Sequence, residues 1–359
     1  MANPKKIAVL YSGARSWGGV ETYIEQVFQN VSRDTLDLTL ISMGEWELSK
    51  KLKKSGYKVV VRNIPWFNPL GFLGISKDLL QGGFNLIVSQ NMVANHFARL
   101  ASWQSGVPNL VTIHSDYKFD YYGLKELIYL LDFKLFESLT AQYIVVSEFL
   151  MSELRKMGVK KEKITRIYNG VKEVAVASKK RSGTLVFGTL GRLHYKKGYH
   201  ILIKAASLLR HENFVINICG EGNERQNLEN LIARYALQDK VYLRGFTTDI
   251  HKALMETDVY IQPSLEEGFG ITVAEAMYAE KPVIVTSAGS LPELVTDGKT
   301  GMVVSPGSEE ALASAMMLAI KDPESLSTMS VAARKEALKR FGIDSWIRAI
   351  EKEYLKVAK

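Results

Sequence analysis

Two glutamates stand at either end of Glu267-Gly-Phe-Gly-Ile-Thr-Val-Ala-Glu275, with Gly268 and Gly270 between them. An ionised carboxylate accepts hydrogen bonds from hydroxyls, and one carboxylate can bridge a vicinal pair such as the 2′ and 3′ hydroxyls of a ribose. The β-branched run Val259 to Gln262 precedes the segment and an apolar helical pattern follows from about Ile271. The segment is therefore expected at a strand-to-helix turn, with Glu267 in the loop and Glu275 about one turn inside the helix. The two carboxylates then reach different parts of one ligand, while amides at the helix start face its anionic part. For either glutamate alone, an ordinary acidic first helical turn is the simpler explanation.

A second stretch supplies the opposite charge. Gly191-Arg192-Leu-His-Tyr-Lys-Lys197-Gly198 follows a strand pattern and precedes a helical one. Arg192 offers a planar fork to phosphate oxygens and Lys197 a compact charge, so two cations five residues apart suit a diphosphate. Lys196 is an adjacent rival for Lys197, and a solvated basic loop is the alternative to phosphate binding. Near the N-terminus, Gly13-Ala-Arg-Ser-Trp-Gly-Gly-Val-Glu21 joins the first strand to a helix. Gly18 and Gly19 let backbone approach a ligand there, although a tight structural turn accounts for them equally well. The loop is neither a G-x-G-x-x-G fingerprint nor a Walker loop. His114, followed by Ser115-Asp116-Tyr117, closes another strand pattern, where it serves either a ligand or the packing.

These residues need elements to hold them. Ile7 to Tyr11, Leu38 to Ser42, Lys58 to Val61, Leu86 to Ser89, Leu110 to His114 and Tyr143 to Ser147 read as strands separated by helical segments. The alternation predicts a parallel, doubly wound sheet. It stops at Lys172 to Gly183, a polar stretch containing Lys179, Lys180, Arg181 and Ser182, which reads as a linker. A second series follows, with strands near Leu185 to Leu190, Val215 to Cys219, Val241 to Arg244, Val259 to Gln262, Val283 to Thr286 and Met302 to Val304. From Glu309 onward the pattern is helical, divided by Pro323 and Gly342 into at least three helices. The fold class is thus α/β, with two Rossmann-like domains whose strand ends face a shared cleft.

Composition sets outer bounds. At 359 residues, with 47% hydrophobic and 23% charged residues, the chain is expected to be a soluble globular protein of two domains. No segment reaches the roughly 18 apolar residues that a membrane span needs. Cys219 is the single cysteine, which excludes an internal disulfide and suits the cytoplasm. Of the net charge of +8, residues 1–172 carry +7 and residues 173–359 carry +1. The basic clusters Lys50, Lys51, Lys53, Lys54, Lys58, Arg62 and Arg155, Lys156, Lys160, Lys161, Lys163, Arg166 would attract an anionic lipid surface, or would simply be solvated. No RNA-binding motif accompanies them, so nucleic acid is not expected as a partner.

Together the motifs resemble the retaining glycosyltransferases of family 4, which share the GT-B fold. Four signatures occur in order: Gly18-Gly19-Val20-Glu21, the strand end at His114, Gly191-Arg192 with Lys197-Gly198, and the pair Glu267 and Glu275. Tyr168-Asn169-Gly170-Val171 matches a further asparagine-glycine element. The resemblance implies an acceptor-binding domain over 1–171, a linker over 172–183, a nucleotide-sugar domain over 184–341, and a terminal helix over 342–359 that packs on the first domain. It implies a donor site of Gly18, Gly19, Arg192, Lys197, Glu267, Phe269, Gly270, Ile271 and Glu275. Within it Arg192 and Lys197 would hold the diphosphate, Glu275 the ribose, Glu267 the sugar, and Phe269, Gly270 and Ile271 would supply amides. It assigns catalysis to His114, Arg192, Lys197 and Glu267, and acceptor contacts to Glu21, His114 and Tyr117. No D-x-D segment is present, so neither a metal nor another cofactor is expected. Acceptor binding would draw on Tyr117, Phe119, Tyr121 and Tyr122 and on the apolar helix Leu124 to Leu139, which suit a glycan or a lipid-linked acceptor at the inner face of a membrane. Two other readings share these residues: a nucleotide-sugar 2-epimerase of related fold, and a non-enzymatic sugar- or nucleic-acid-binding protein.

Overall fold

Short runs of aliphatic and β-branched residues form the strands of two parallel sheets. The structure is a computed structural model that describes residues 3–13, 17–65, 68, 70–120, 123–174, 176 and 183–359. In the first sheet the strands are β1 (Lys5–Tyr11), β2 (Leu36–Ser42), β3 (Lys58–Val61), β4 (Leu86–Ser89), β5 (Asn109–Ile113), β6 (Gln142–Val145) and β7 (Ile164–Arg166). In the second they are β8 (Leu185–Leu190), β9 (Phe214–Cys219), β10 (Val241–Gly245), β11 (Val259–Gln262), β12 (Val283–Thr286) and β13 (Met302–Val304). The first sheet has the order β3-β2-β1-β4-β5-β6-β7 and the second β10-β9-β8-β11-β12-β13. Central strands such as Leu86–Ser89 and Val283–Thr286 are buried at every position, because helices cover both faces of a parallel sheet. The α/β class with two Rossmann-like sheets is therefore the observed architecture.

The chain divides into two units, Met1–Gly170 with Asp344–Lys359, and Val171–Ile343. Of the polar stretch read as a linker, Lys179 to Ser182 lie outside the described residues, whereas Glu173 and Val174 are held in the second unit. Arg334 donates to the Glu173 carboxylate at 2.9 Å and to the Val174 carbonyl at 3.2 Å. The three C-terminal helices span Glu309–Lys321, Pro323–Arg340 and Ile343–Val357. Pro323 occupies the first turn of the second, where its missing N–H costs nothing, and the Asp322 side chain caps that turn through Ser325 N at 3.1 Å. The last helix belongs to the first unit. Trp346 lies edge-on to Tyr23, with centroids 5.1 Å apart, and Glu353 accepts from Thr165 Oγ1 at 3.0 Å.

Two strand ends differ from the sequence expectation for local reasons. The expected strand Tyr143 to Ser147 stops at Val145, because Ser147 Oγ caps the helix Glu148–Lys156 by accepting from Leu150 N at 3.2 Å. Strand β5 stops at Ile113, so His114 stands one residue past it. The short β7 was missed because Lys161 to Lys163 and Arg166 mask its apolar character.

Candidate functional site

In both sheets the strand order reverses beside the first strand, and ligands of open α/β sheets bind at the carboxyl ends flanking such a point. In the second unit the two loops that leave this point are Gly191 to Gly198 after β8 and Pro263 to Gly270 after β11. They are fastened to one another. Leu265 N donates to the Lys196 carbonyl at 2.7 Å, and Gly198, at φ +68°, passes so close that an added Cβ would lie 1.9 Å from the Pro263 oxygen. Gly198→Ala is expected to destabilise the protein by about 2 kcal/mol or more through strain and overpacking, read as a lower midpoint in urea unfolding; an unchanged midpoint would contradict this contact.

The fastening carries the charged groups with it. Lys197 Nζ donates to Glu267 Oε2 at 2.7 Å, so a cation and a carboxylate that the sequence assigns to different parts of a ligand are joined here. Ser264 Oγ donates to the same oxygen at 3.2 Å while accepting from Gln262 Nε2 at 2.8 Å, and Gln262 Oε1 accepts from Tyr260 OH at 2.9 Å. Because Gln262 fills a lone pair of Ser264, the single serine proton is directed at Glu267. Behind Glu267, Ser290 N donates to its backbone carbonyl at 3.1 Å. Its Oε2 is therefore held by two donors and its backbone by a third.

Lys196 pairs with Glu266 at 3.5 Å, so the adjacent lysine is also compensated. Arg192 differs: it is exposed, and its guanidinium makes no ion pair with any described residue. It carries the uncompensated positive charge of the two loops. Glu275 lies in the helix Ile271–Tyr278, buried, and its Oε2 has no hydrogen-bond partner. Burial raises its carboxyl to about 8, so the group is mostly protonated at neutral pH. Gly270 caps this helix, and Phe269 turns its buried ring edge-on to Phe341 at 5.6 Å, leaving the backbone at the helix start. An anion held by Arg192 at one end and hydroxyls that donate to Glu275 at the other are what these groups can serve chemically.

The remaining residues singled out in the sequence gather in the first unit, around the ends of β1, β4 and β5. Gly18 precedes the helix Gly19–Asn30 in extended backbone, and Ala14 to Ser16 of that loop lie outside the described residues. Glu21 is buried and accepts from Tyr11 OH at 2.6 Å. His114 is partly exposed. Its Nε2 meets Gln90 Oε1 at 2.7 Å, and since the amide oxygen can only accept, the ring proton sits on Nε2 and leaves Nδ1 as an acceptor. Desolvation lowers this imidazole to about 4, so it is neutral at pH 7 and adds no positive charge to the site. Tyr117 stacks on Tyr129 at 4.8 Å. Tyr121 and Tyr122 lie outside the described residues, as does the side chain of Phe119.

Sequence reasoning overlooked Tyr260, Gln262 and Ser264, although a signal was present. They alternate with Ile261 and Pro263, so one face of an otherwise apolar strand is polar all the way to its end. Gln90, which follows β4 directly, was passed over in the same way.

Residues 171–336 match the family model described as glycosyl transferases group 1, and residues 17–173 match the one described as glycosyltransferase family 4. The glycosyltransferase MJ1178 of Methanocaldococcus jannaschii is 24% identical over 352 residues, covering 94% of either chain. The lipopolysaccharide core biosynthesis mannosyltransferase LpcC of Rhizobium leguminosarum is 29% identical over 174 residues, 46% of this chain and 48% of that one, so the match spans about half of the mannosyltransferase. Among solved structures, HepE of Anabaena in complex with UDP and glucose superposes with a TM-score of 0.85 at 24% identity, covering 98% of this chain and 99% of that one.

Proposed function

The chain belongs to glycosyltransferase family 4, and on that premise we propose that it is a retaining enzyme moving a sugar from a UDP- or GDP-sugar to a glycan or lipid-linked acceptor. The observation that carries the reading is that the uncompensated Arg192, just after β8, and the buried Glu275, whose Oε2 has no hydrogen-bond partner, in the helix after β11, flank one switch point. The first suits a diphosphate and the second a ribose. HepE, of the same fold, binds UDP, which supports a uridine donor.

In this reading the barrier is departure of the nucleoside diphosphate from an oxocarbenium-like centre. Arg192 stabilises the negative charge that grows on the leaving group, and the amides of Phe269, Gly270 and Ile271 at the helix start add to it. Lys197, held by Glu267, contributes a shared charge, so the larger part falls to Arg192. The departing phosphate takes the acceptor proton on the same face, and Glu267 positions the sugar without acting as a nucleophile. These cations take the place of a metal, so none is required. Gly18 and Gly19 are assigned to the donor and Glu21, His114 and Tyr117 to the acceptor, with neutral His114 accepting a hydrogen bond through Nδ1. The acceptor is presented at the cytoplasmic face of an anionic membrane; no helix among the described residues is long and apolar enough to cross a bilayer.

Incubation of the protein with UDP- and GDP-hexoses in the presence of lipid-linked and oligosaccharide acceptors tests this reading. Transfer with retained anomeric configuration, undiminished by a chelator, is expected from NMR of the fresh product. Inverted product would refute retention, a chelator-sensitive rate would refute metal independence, and conversion of the donor sugar without acceptor would indicate the 2-epimerase reading instead.

A further inference from the structure

The helix Leu124–Phe136 turns a row of aliphatic side chains outward. Leu124, Leu127, Ile128, Leu131 and Leu135 are 72%, 52%, 44%, 51% and 67% exposed. At 3.6 residues per turn these five fall on one stripe, while Tyr129 and Phe133 on the other side are buried. Asp132 is pinned to the protein by His96 and by Arg99, the latter at 3.0 Å. A single exposed leucine needs no explanation, but five along one helix form a patch of the kind that marks an interaction surface.

The charges around the stripe select its partner. The exposed charged residues of this helix are Lys125 and Lys134, one on each side of the stripe, whereas the acidic Glu126 and Asp132 are partly covered. An aliphatic stripe bordered by lysines is the pattern of a helix lying in a bilayer interface, with lysine stems reaching up to lipid phosphates. A second copy of the chain is the poorer occupant, because a two-fold pairing of the stripe would bring Lys125 and Lys134 of both copies together. A protein partner is poorer too, since the stripe lacks the Trp, Tyr and Arg anchors that dominate such interfaces.

We infer that the helix Leu124–Phe136 docks in the plane of an anionic lipid bilayer, with the stripe at the acyl boundary and Lys125 and Lys134 on lipid phosphates. Tyr117 stacks on Tyr129, on the side of this helix away from the stripe, so docking holds Tyr117 one helix diameter, roughly 10 Å, from the lipid surface. The inference deepens the lipid-linked acceptor reading and rests on it.

Flotation with vesicles of phosphatidylcholine alone, or mixed with phosphatidylglycerol, tests it on the full chain. The protein is expected to partition to the anionic vesicles about tenfold more than to the neutral ones, and less at high salt. The double variant Leu127→Gln, Leu131→Gln is expected to lose about tenfold or more of that partition. Both side chains are exposed, so the variant keeps its fold, verified by unchanged UDP or GDP binding. Failure of the parent to bind anionic vesicles, or equal binding by the double variant, would overturn the docking. Concentration-dependent dimerisation that the double variant abolishes would overturn it in favour of a second copy. Loss of nucleotide binding by the parent, with vesicle binding intact, would instead strike the donor reading and leave the docking standing.

Discussion

An Arg192→Ala variant is expected to turn over about 10²–10³-fold more slowly than the parent while keeping its unfolding midpoint. Arg192 is exposed and pairs with no described carboxylate, so its removal breaks no ion pair among the described residues. Its charge is also the one positive charge of the two loops that is not already answered, because Lys196 and Lys197 face Glu266 and Glu267. Arg192→Lys should recover only part of the rate, since it restores the charge and loses the fork that grips two phosphate oxygens. Lys197→Ala should behave differently. It would strip Glu267 of its counter-ion at 2.7 Å and lower stability along with rate. Steady-state rates with saturating donor, measured beside urea unfolding, separate these outcomes. A near-normal rate for Arg192→Ala would remove this residue from the reaction.

Glu275→Gln is expected to stabilise the protein at alkaline pH and to weaken its nucleotide binding. In the folded chain burial holds this carboxyl at about 8, against about 4.5 for the unfolded chain. Between those values the folded state keeps a proton that the unfolded state has released, so the stability contributed by this group falls as pH rises from about 4.5 to about 8 and is level beyond. The full difference is on the order of several kcal/mol. The glutamine variant lacks this slope: its unfolding midpoint should match that of the parent near pH 5 and exceed it above pH 8. Binding moves the other way. Ribose hydroxyls donate to the carboxylate and so favour the ionised form, which makes nucleotide affinity of the parent rise between about pH 6.5 and 8.5. For Glu275→Gln the affinity should be lower and flat over that range. Parallel stability curves for the two proteins, or identical pH profiles of affinity, would refute the buried, unpartnered state of Glu275.

Much of this arrangement was legible in the sequence, and the parts that were not share a physical cause. Strand positions followed from β-branched runs because parallel strands covered on both faces must be apolar throughout, as in Val283–Thr286. The loops at Arg192 and Glu267 stood out because glycine, cations and carboxylates break such runs at a strand end. The contact between Lys197 and Glu267 was not legible, since it depends on β8 and β11 being neighbours, and strand order is a long-range property. Burial of Glu275 was hidden for the same reason: its spacing from Glu267 gives a place on the helix, whereas the loss of solvent comes from what packs around that helix. The role of Ser264 needed the side-chain network, in which Gln262 decides where the serine proton points. His114 was marked by its strand end alone; its neutrality comes from desolvation, and its tautomer from the amide of Gln90, 24 residues earlier in the chain.

The central claim is that the second unit holds a nucleoside diphosphate between Arg192 and Glu275, and calorimetric titration of UDP and of GDP into the parent and into Arg192→Ala tests it most directly. At least one of the two nucleotides is expected to bind the parent, with affinity reduced about tenfold or more in the variant. Binding of neither nucleotide by the parent, or equal binding by Arg192→Ala, would contradict the account.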